Sequence, residues 1–221
     1  VLVSLLLVYT VREMGARMDI SVVTGLLFLT QVSHFRALYW ISSITFVIAS
    51  IFGLLTVVLT LRFLSTGKRG LAWLACIALC AAAFSHPGSV YLAPFCVYLA
   101  WRNDADFRKA LMDSLPQLVT AAVSVVLTYV IWPEQVDGPV VERGWSAIPG
   151  LLGRLASSAH WLPELARYPE FQSVELVAGT LLLAGVILLT WRGVFPGADG
   201  GIWTLLAVMP FVFDTGEQAY A

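Results

Sequence analysis

The sequence predicts an all-α fold, a polytopic bundle of transmembrane helices with about eight spans. Apolar residues make up 59 % of the 221-residue chain and charged residues only 12 %, about half the charged fraction of a soluble globular domain. The charges lie in short clusters between apolar runs. None of the runs shows the period-two alternation of a membrane β-barrel strand. Helices, which pair all their backbone groups internally, are therefore the expected way across the bilayer.

Eight apolar segments divide the chain. A bilayer core of about 30 Å needs about 20 mostly apolar residues per helix. Because the sequence starts inside an apolar run, we expect residues 1–221 to form a single transmembrane domain that is a fragment of a longer protein, with its first span truncated. The segments are 1–11, 20–32, 41–64, 71–84, 90–101, 115–132, 174–191 and 202–213.

Basic residues fall in every second loop between these segments. Excess Lys and Arg mark cytoplasmic loops, so one orientation satisfies the whole chain, with loops 33–39, 85–88 and 133–173 and the C-terminal residues 214–221 external. We expect a multi-pass protein of a bacterial inner membrane. Trp40 and Trp132 then lie at the outer interface and Trp101 and Trp191 at the inner one. The basic residues of the four cytoplasmic loops are Arg12 and Arg17; Arg62, Lys68 and Arg69; Arg102, Arg108 and Lys109; and Arg192, whereas the external loop 133–173 carries more acid than base.

The loop 85–88 connects two short segments. Each arm has about 16 residues, or about 24 Å of helix, which is less than a bilayer core of about 30 Å. The turn is therefore predicted to be recessed, within protein or a water-filled cavity. Pro87 suits the first turn of the following helix and Ser85 its N-cap.

The loop 133–173 is predicted to be external and to contain an amphipathic helix along the outer interface. Pro149 and Pro163 would bound this helix. The alternative is a loop packed over the bundle. The apolar positions at helical spacing are Ile148, Leu151, Leu152, Leu155, Ala159 and Leu162.

The three cysteines, Cys76, Cys80 and Cys96, lie in apolar runs. Their odd number argues against a disulfide framework, and their spacing predicts small packing residues rather than a metal site. The chain has no basic face for nucleic acid. The expected partners are therefore membrane lipids, and the oligomeric state stays open.

Candidate substrate-binding residues fall in or next to two external loops: His34 and Arg36 in the first, followed by Trp40, and His86 in the second. Ionisable groups near membrane depth are functional candidates because they are costly there. Arg36 suits bidentate phosphate binding, and a histidine can bind phosphate or move a proton. Structural roles remain the alternative: a snorkelling arginine, a helix cap or a self-satisfied turn. His160 is a weaker candidate, and no complete catalytic motif is present, so the catalytic residue is unassigned.

Two stretches carry a family resemblance. Residues 31–42, Gln-Val-Ser-His-Phe-Arg-Ala-Leu-Tyr-Trp-Ile-Ser, resemble a motif of GT-C membrane glycosyltransferases, especially protein O-mannosyltransferase-related members that often carry tetratricopeptide repeats. Residues 81–88, Ala-Ala-Ala-Phe-Ser-His-Pro-Gly, resemble a second motif. Arg36 and Pro87 replace acids of the family pattern, and Gln31-Val32 replaces His-Pro. The resemblance covers about residues 1–101, and the matching residues of the first motif are His34, Ala37, Trp40, Ile41 and Ser42.

The resemblance implies transfer of a hexosyl or mannosyl group from a polyprenyl-phosphate-linked donor to an acceptor on the external face. His34, Arg36, Trp40 and His86 would line the donor-phosphate or acceptor site. The family's catalytic acid is expected upstream of Val1, and the need for a divalent metal stays open. Two other functions remain open: a transporter or flippase for a lipid-linked or polar solute, and a non-catalytic membrane scaffold.

Overall fold

The structure, a computed structural model, describes residues 1–30 and 44–131 together with single positions between 177 and 192. All regular secondary structure in these residues is helical. The predicted all-α class is therefore confirmed for this part of the chain. The predicted interfacial helix in 133–173 and the last apolar segment, 202–213, lie outside the described residues.

Seven α-helices and one 3-10 helix lie within residues 1–30 and 44–131. Each of the first six predicted apolar segments coincides with one of them, whereas the short helix α6 was not predicted. In chain order they are α1 (Leu2–Glu13), α2 (Met18–Thr30), α3 (Ile44–Thr66), α4 (Arg69–Ser85), the 3-10 helix (Pro87–Tyr91), α5 (Leu92–Asp104), α6 (Phe107–Asp113) and α7 (Leu115–Ile131).

Helix α3 has the length and composition of a membrane span. Its 23 residues correspond to about 35 Å, and it is the one continuous helix in the described residues that is long and apolar enough to cross a bilayer. Helices α6 and α7, bent by 57°, meet the same criterion if they count as one broken span. Helix α4 has 17 residues, or about 26 Å, and is short as predicted. The number of spans stays a prediction.

The core lies where α3, α4 and α5 meet. Helices α3 and α4 form a hairpin through Gly67, whose φ of 68° suits glycine. Val57, Leu79 and Phe95, one from each helix, are fully buried. Helix α7 packs against α4 and α5, and α1 joins α2 to α3. The buried face of α4 consists largely of small residues, which let helices approach closely: Ala72, Ala75, Cys76, Ala78, Ala82 and Ala83.

The described part buries small polar side chains and exposes large apolar ones. The buried hydroxyls of Thr10 and Thr56 donate to the carbonyl oxygens of Leu6 (2.7 Å) and Phe52 (2.8 Å). In contrast, Trp73 is 66 % exposed and Val130 is 70 % exposed. Soluble monomers rarely expose large contiguous apolar patches. Other large apolar side chains on the surface include Ile20, Val23, Leu26, Leu74, Ile77, Val119, Val123 and Val126.

At one end of the bundle, which we call the charged end, helices α1, α3 and α5 terminate together. Arg62 donates through Nη2 to the Tyr9 hydroxyl and to Glu13 Oε1, the latter at 3.3 Å. Arg102 Nη2 donates to the Met14 carbonyl oxygen at 3.0 Å. Three of the loops predicted to share the cytoplasmic side thus lie at the same end of the bundle.

Helix α6 extends the charged end. Ala105 ends α5 in a left-handed conformation (φ 56°), and Asp106 caps α6 by accepting from the backbone N–H groups of Arg108 (2.9 Å) and Lys109 (3.2 Å). This cap satisfies two of the N–H groups that every helix start leaves unpaired. The bent connection from α6 to α7 follows.

Candidate functional site

The turn after α4 positions His86 at the opposite end of the bundle, which we call the histidine end. His86 has an extended backbone (φ −152°, ψ 113°) and separates α4 from the 3-10 helix. Pro87 occupies the first turn of that helix, as predicted. The prediction of Ser85 as its N-cap is wrong. Ser85 is still part of α4 and its Oγ donates to the Ala81 carbonyl oxygen at 2.7 Å, so the cap position passes to His86.

The His86 ring folds back over its own turn. The His86 backbone N–H donates to the Ala82 carbonyl oxygen at 2.8 Å, and the His86 carbonyl oxygen accepts from the Ser89 N–H at 2.9 Å. A Cβ atom on Gly88 would lie 2.8 Å from Cε1 and 2.9 Å from Nδ1 of the ring. The ring can therefore occupy this position only because residue 88 has no side chain.

Helix α3 supplies the other side of the ring. The Phe46 and His86 ring centroids are 4.6 Å apart, with an interplanar angle of 41°. Phe46 lies in the first turn of α3. The contact therefore joins the start of α3 to the turn after α4, which are about 40 residues apart in the sequence.

A cavity of about 330 Å³ opens beside His86. Its wall is mostly apolar and aromatic with a few polar groups, which is typical of small-molecule sites. Ser50 Oγ is already engaged, since it donates to the Phe46 carbonyl oxygen at 2.7 Å. The residues that line it are Val3, Leu7, Phe28, Phe46, Ala49, Ser50, Gly53, Leu54, His86, Ser89, Tyr91 and Leu92.

Burial lowers the pKa of His86 below its ordinary value, because desolvation disfavours the charged imidazolium. A neutral imidazole offers one N–H donor and one acceptor nitrogen. Among residues 1–30 and 44–131, no side chain hydrogen-bonds to the ring, whose neighbours are Phe46 and Gly88. The ring can therefore donate to an anionic oxygen or accept from a hydroxyl group in the cavity.

The first predicted motif lies outside the described residues, and with it His34, Arg36 and Trp40. His160 lies outside them as well. The described residues on either side of the motif do bear on it. Phe28, in the last turn of α2, and Phe46, in the first turn of α3, both line the His86 cavity. Both residues are close in the sequence to the ends of the segment 31–43.

Sequence reasoning missed Phe28, Phe46 and Gly53 as cavity residues. One signal was available, since Gly53 interrupts a run of large apolar residues in α3. A Cβ there would lie 3.1 Å from Leu92 Cδ1, so the glycine marks the close approach of α3 to the start of α5. The pairing of Phe46 with His86 had no signal in the sequence pattern.

Metal-ligating groups do not converge in the described residues: no set of three His, Cys, Asp or Glu side chains there is placed to hold an ion. The cysteines Cys76, Cys80 and Cys96 are free thiols inside the bundle. Cys96 Sγ lies 3.4 Å from Thr60 Oγ1, which joins α5 to α3.

No protein-family model, curated protein or solved structure matches this chain.

Proposed function

We propose that this chain is part of a multi-span membrane glycosyltransferase, which transfers a sugar from a polyprenyl-phosphate-linked donor to an acceptor on the external face. The observation that carries the proposal is the His86 cavity. It holds the histidine of the second motif, and its wall includes Phe28 and Phe46, which lie close in the sequence to the segment with His34, Arg36 and Trp40.

The membrane part of the proposal is supported by the surface of the bundle. Large apolar side chains on α2, α4 and α7 face outwards, whereas small hydroxyl-bearing residues face inwards. Contact with lipid keeps these apolar side chains away from water, whereas their exposure to water is unfavourable. With about eight spans and the basic loops inside, the charged end would face the cytoplasm and the histidine end the external side of a bacterial inner membrane.

In the reaction, the bond between the anomeric carbon and the donor phosphate oxygen breaks, and a bond to an acceptor hydroxyl forms. Arg36 would stabilise the charge that develops on the leaving phosphate. His86, neutral and close to the cavity, would donate a hydrogen bond to the same phosphate. The proton of the acceptor hydroxyl would pass to a general base, for which the family resemblance implies the ionised carboxylate of an Asp or Glu that is not among the residues assigned here.

The test uses the full-length protein in isolated membranes with a radiolabelled polyprenyl-phosphate sugar. Arg36→Ala should abolish transfer, and Arg36→Lys should restore only part of it because lysine lacks the bidentate fork. Arg69→Ala, an arginine at the charged end, is the matched control and should retain wild-type transfer. All three variants should be recovered in the carbonate-washed membrane fraction at wild-type levels.

The contrary outcomes are separable. Unchanged transfer by Arg36→Ala refutes the role assigned to this residue. Movement of the intact lipid-linked sugar across proteoliposomes without a new glycosidic bond would identify a flippase instead. Absence of both transfer and transbilayer movement in the wild-type protein would leave a scaffold, and recovery in the soluble fraction would overturn the membrane placement itself.

A further inference from the structure

A second cavity, of about 300 Å³, lies at the charged end between the C-terminal turns of α1, α3 and α5. Its wall has two chemical halves. Leu61, Leu64 and Leu99 form an apolar side, and the rim is polar. The rim residues are Glu13, Ser65, Arg102 and Asn103. A ligand that fits must therefore be an amphiphile, with a polar head next to an apolar stem.

The wall of this cavity carries side chains of both charges. Arg102 brings one positive charge and Glu13 one negative charge to the lining. The cavity is therefore suited to a ligand that carries both signs and has no net charge.

Glu13 has spare capacity to accept hydrogen bonds. Its Oε1 receives Arg62 Nη2 at 3.3 Å, but an ionised carboxylate offers about four lone-pair sites. The Glu13 side chain is 29 % exposed, so a donor can reach it from the cavity. Arg102, which already donates to the Met14 carbonyl oxygen, has five N–H groups in a planar fork suited to phosphate.

We infer that this cavity binds the headgroup of a zwitterionic phospholipid whose amine retains N–H donors, a phosphatidylethanolamine. Its phosphate lies by Arg102, its ammonium group by Glu13, and the start of its acyl chains along Leu61, Leu64 and Leu99. A phosphatidylcholine has the same charges but no N–H to donate, so Glu13 discriminates against it. The inference rests on the membrane placement proposed above and is independent of the His86 site.

The experiment measures lipid adducts on the purified full chain in maltoside micelles by native mass spectrometry. Dihexanoyl-phosphatidylethanolamine should bind about tenfold more tightly than dihexanoyl-phosphatidylcholine, a difference of about 1.4 kcal/mol. Glu13→Gln should remove this preference. Asp19→Asn is the matched control: its carboxylate is exposed, pairs with Arg17 at 2.9 Å and lies outside the cavity, so the preference should persist. Asn103→Leu, on the exposed rim, should weaken binding of both lipids.

Equal affinity of the wild-type protein for the two lipids would overturn the inference, as would the same loss in Asp19→Asn as in Glu13→Gln. Inorganic phosphate and phosphoethanolamine, added separately, test the apolar wall. Displacement of the lipid by either one at equal concentration would show that the acyl chains contribute nothing and would also overturn it. If the membrane placement is wrong, the protein is recovered in the soluble fraction during membrane fractionation. A wrong lipid site leaves the fractionation result unchanged.

Discussion

The two ends of the bundle satisfy their polar groups differently. At the charged end, Arg62 and Arg102 donate to acceptors on α1 and the loop after it, and these bonds tie three helix ends together. At the histidine end, the polar ring of His86 rests on Phe46 and on its own turn, next to a cavity.

This difference separates stability from binding. A buried acceptor that loses its donor costs the full desolvation energy of the group, so the charged end is expected to govern unfolding. Within the described residues the His86 ring is held by packing, and its displacement should cost function rather than stability. The three substitutions below test this division.

The largest effect is expected at the charged end. Arg102→Met keeps an unbranched apolar stem but leaves the carbonyl oxygen of the buried Met14 without its charged donor. The unfolding free energy should fall by about 1–3 kcal/mol, measured by denaturant titration in detergent. Arg108→Met, on the exposed side of α6, is the control and should change it by less than about 0.5 kcal/mol. Equal effects of the two substitutions would show that the hydrogen bond from Arg102 to the Met14 carbonyl oxygen does not stabilise the fold.

A smaller effect, on function alone, is expected from Gly88→Ala. The new Cβ would overlap the His86 ring and displace it, while rotation of the histidine side chain keeps the energetic cost low. Sugar transfer should fall about tenfold or more, because misplacing a group by about 1 Å can cost that much. Gly70→Ala, where a Cβ meets open space, is the matched control.

The chemical reactivity of His86 gives the same test without reliance on transfer. Carbethoxylation of His86, followed by peptide mass spectrometry, should speed up in Gly88→Ala and stay unchanged in Gly70→Ala. A large loss of stability in Gly88→Ala, or wild-type transfer despite faster modification, would contradict the division between the two ends.

The smallest effect concerns Gln117, near the start of α7. Its side chain is fully buried, and neither amide atom has a hydrogen-bond partner in the described part of the chain. Gln117→Leu should therefore raise the unfolding free energy by about 1 kcal/mol. Thr56→Val, which removes a buried hydroxyl that does have a partner, should show no gain. A loss of stability in Gln117→Leu would show that the amide is paired in the working protein.

The sequence predicted the helices better than their contacts. Apolar runs of 11 or more residues located the major helices because hydrophobicity acts locally along the chain. The alternation of basic loops anticipated that Arg62 and Arg102 would share one end. Helix α6 was not predicted because its seven residues are too few to show helical periodicity. Its N-cap, Asp106, gave no signal either, because aspartate is common in loops. Ser85 is not the cap because its hydroxyl donates instead to a backbone carbonyl oxygen within α4.

The candidate site was predicted only in part. His86 stood out because an ionisable residue in a recessed turn is costly. Its partners did not, since the Phe46 contact and the approach of Leu92 to Gly53 depend on how α3 packs against residues about 40 positions away. The Thr60 and Cys96 contact between α3 and α5 is long-range for the same reason. Local patterns do not encode such packing, which is decided by the shapes of all the helices together.

The three thiols differ in exposure, so their reactivity reports how the bundle opens. Cys96 is completely enclosed, Cys76 is 6 % exposed and Cys80 is only half-buried. An alkylating reagent can therefore reach Cys80 through small local fluctuations, whereas Cys96 reacts only when α3, α4 and α5 separate. The order in which the thiols become modified records whether the bundle opens locally or as a whole. The small residues that allow these helices to pack closely thus also make their separation chemically visible.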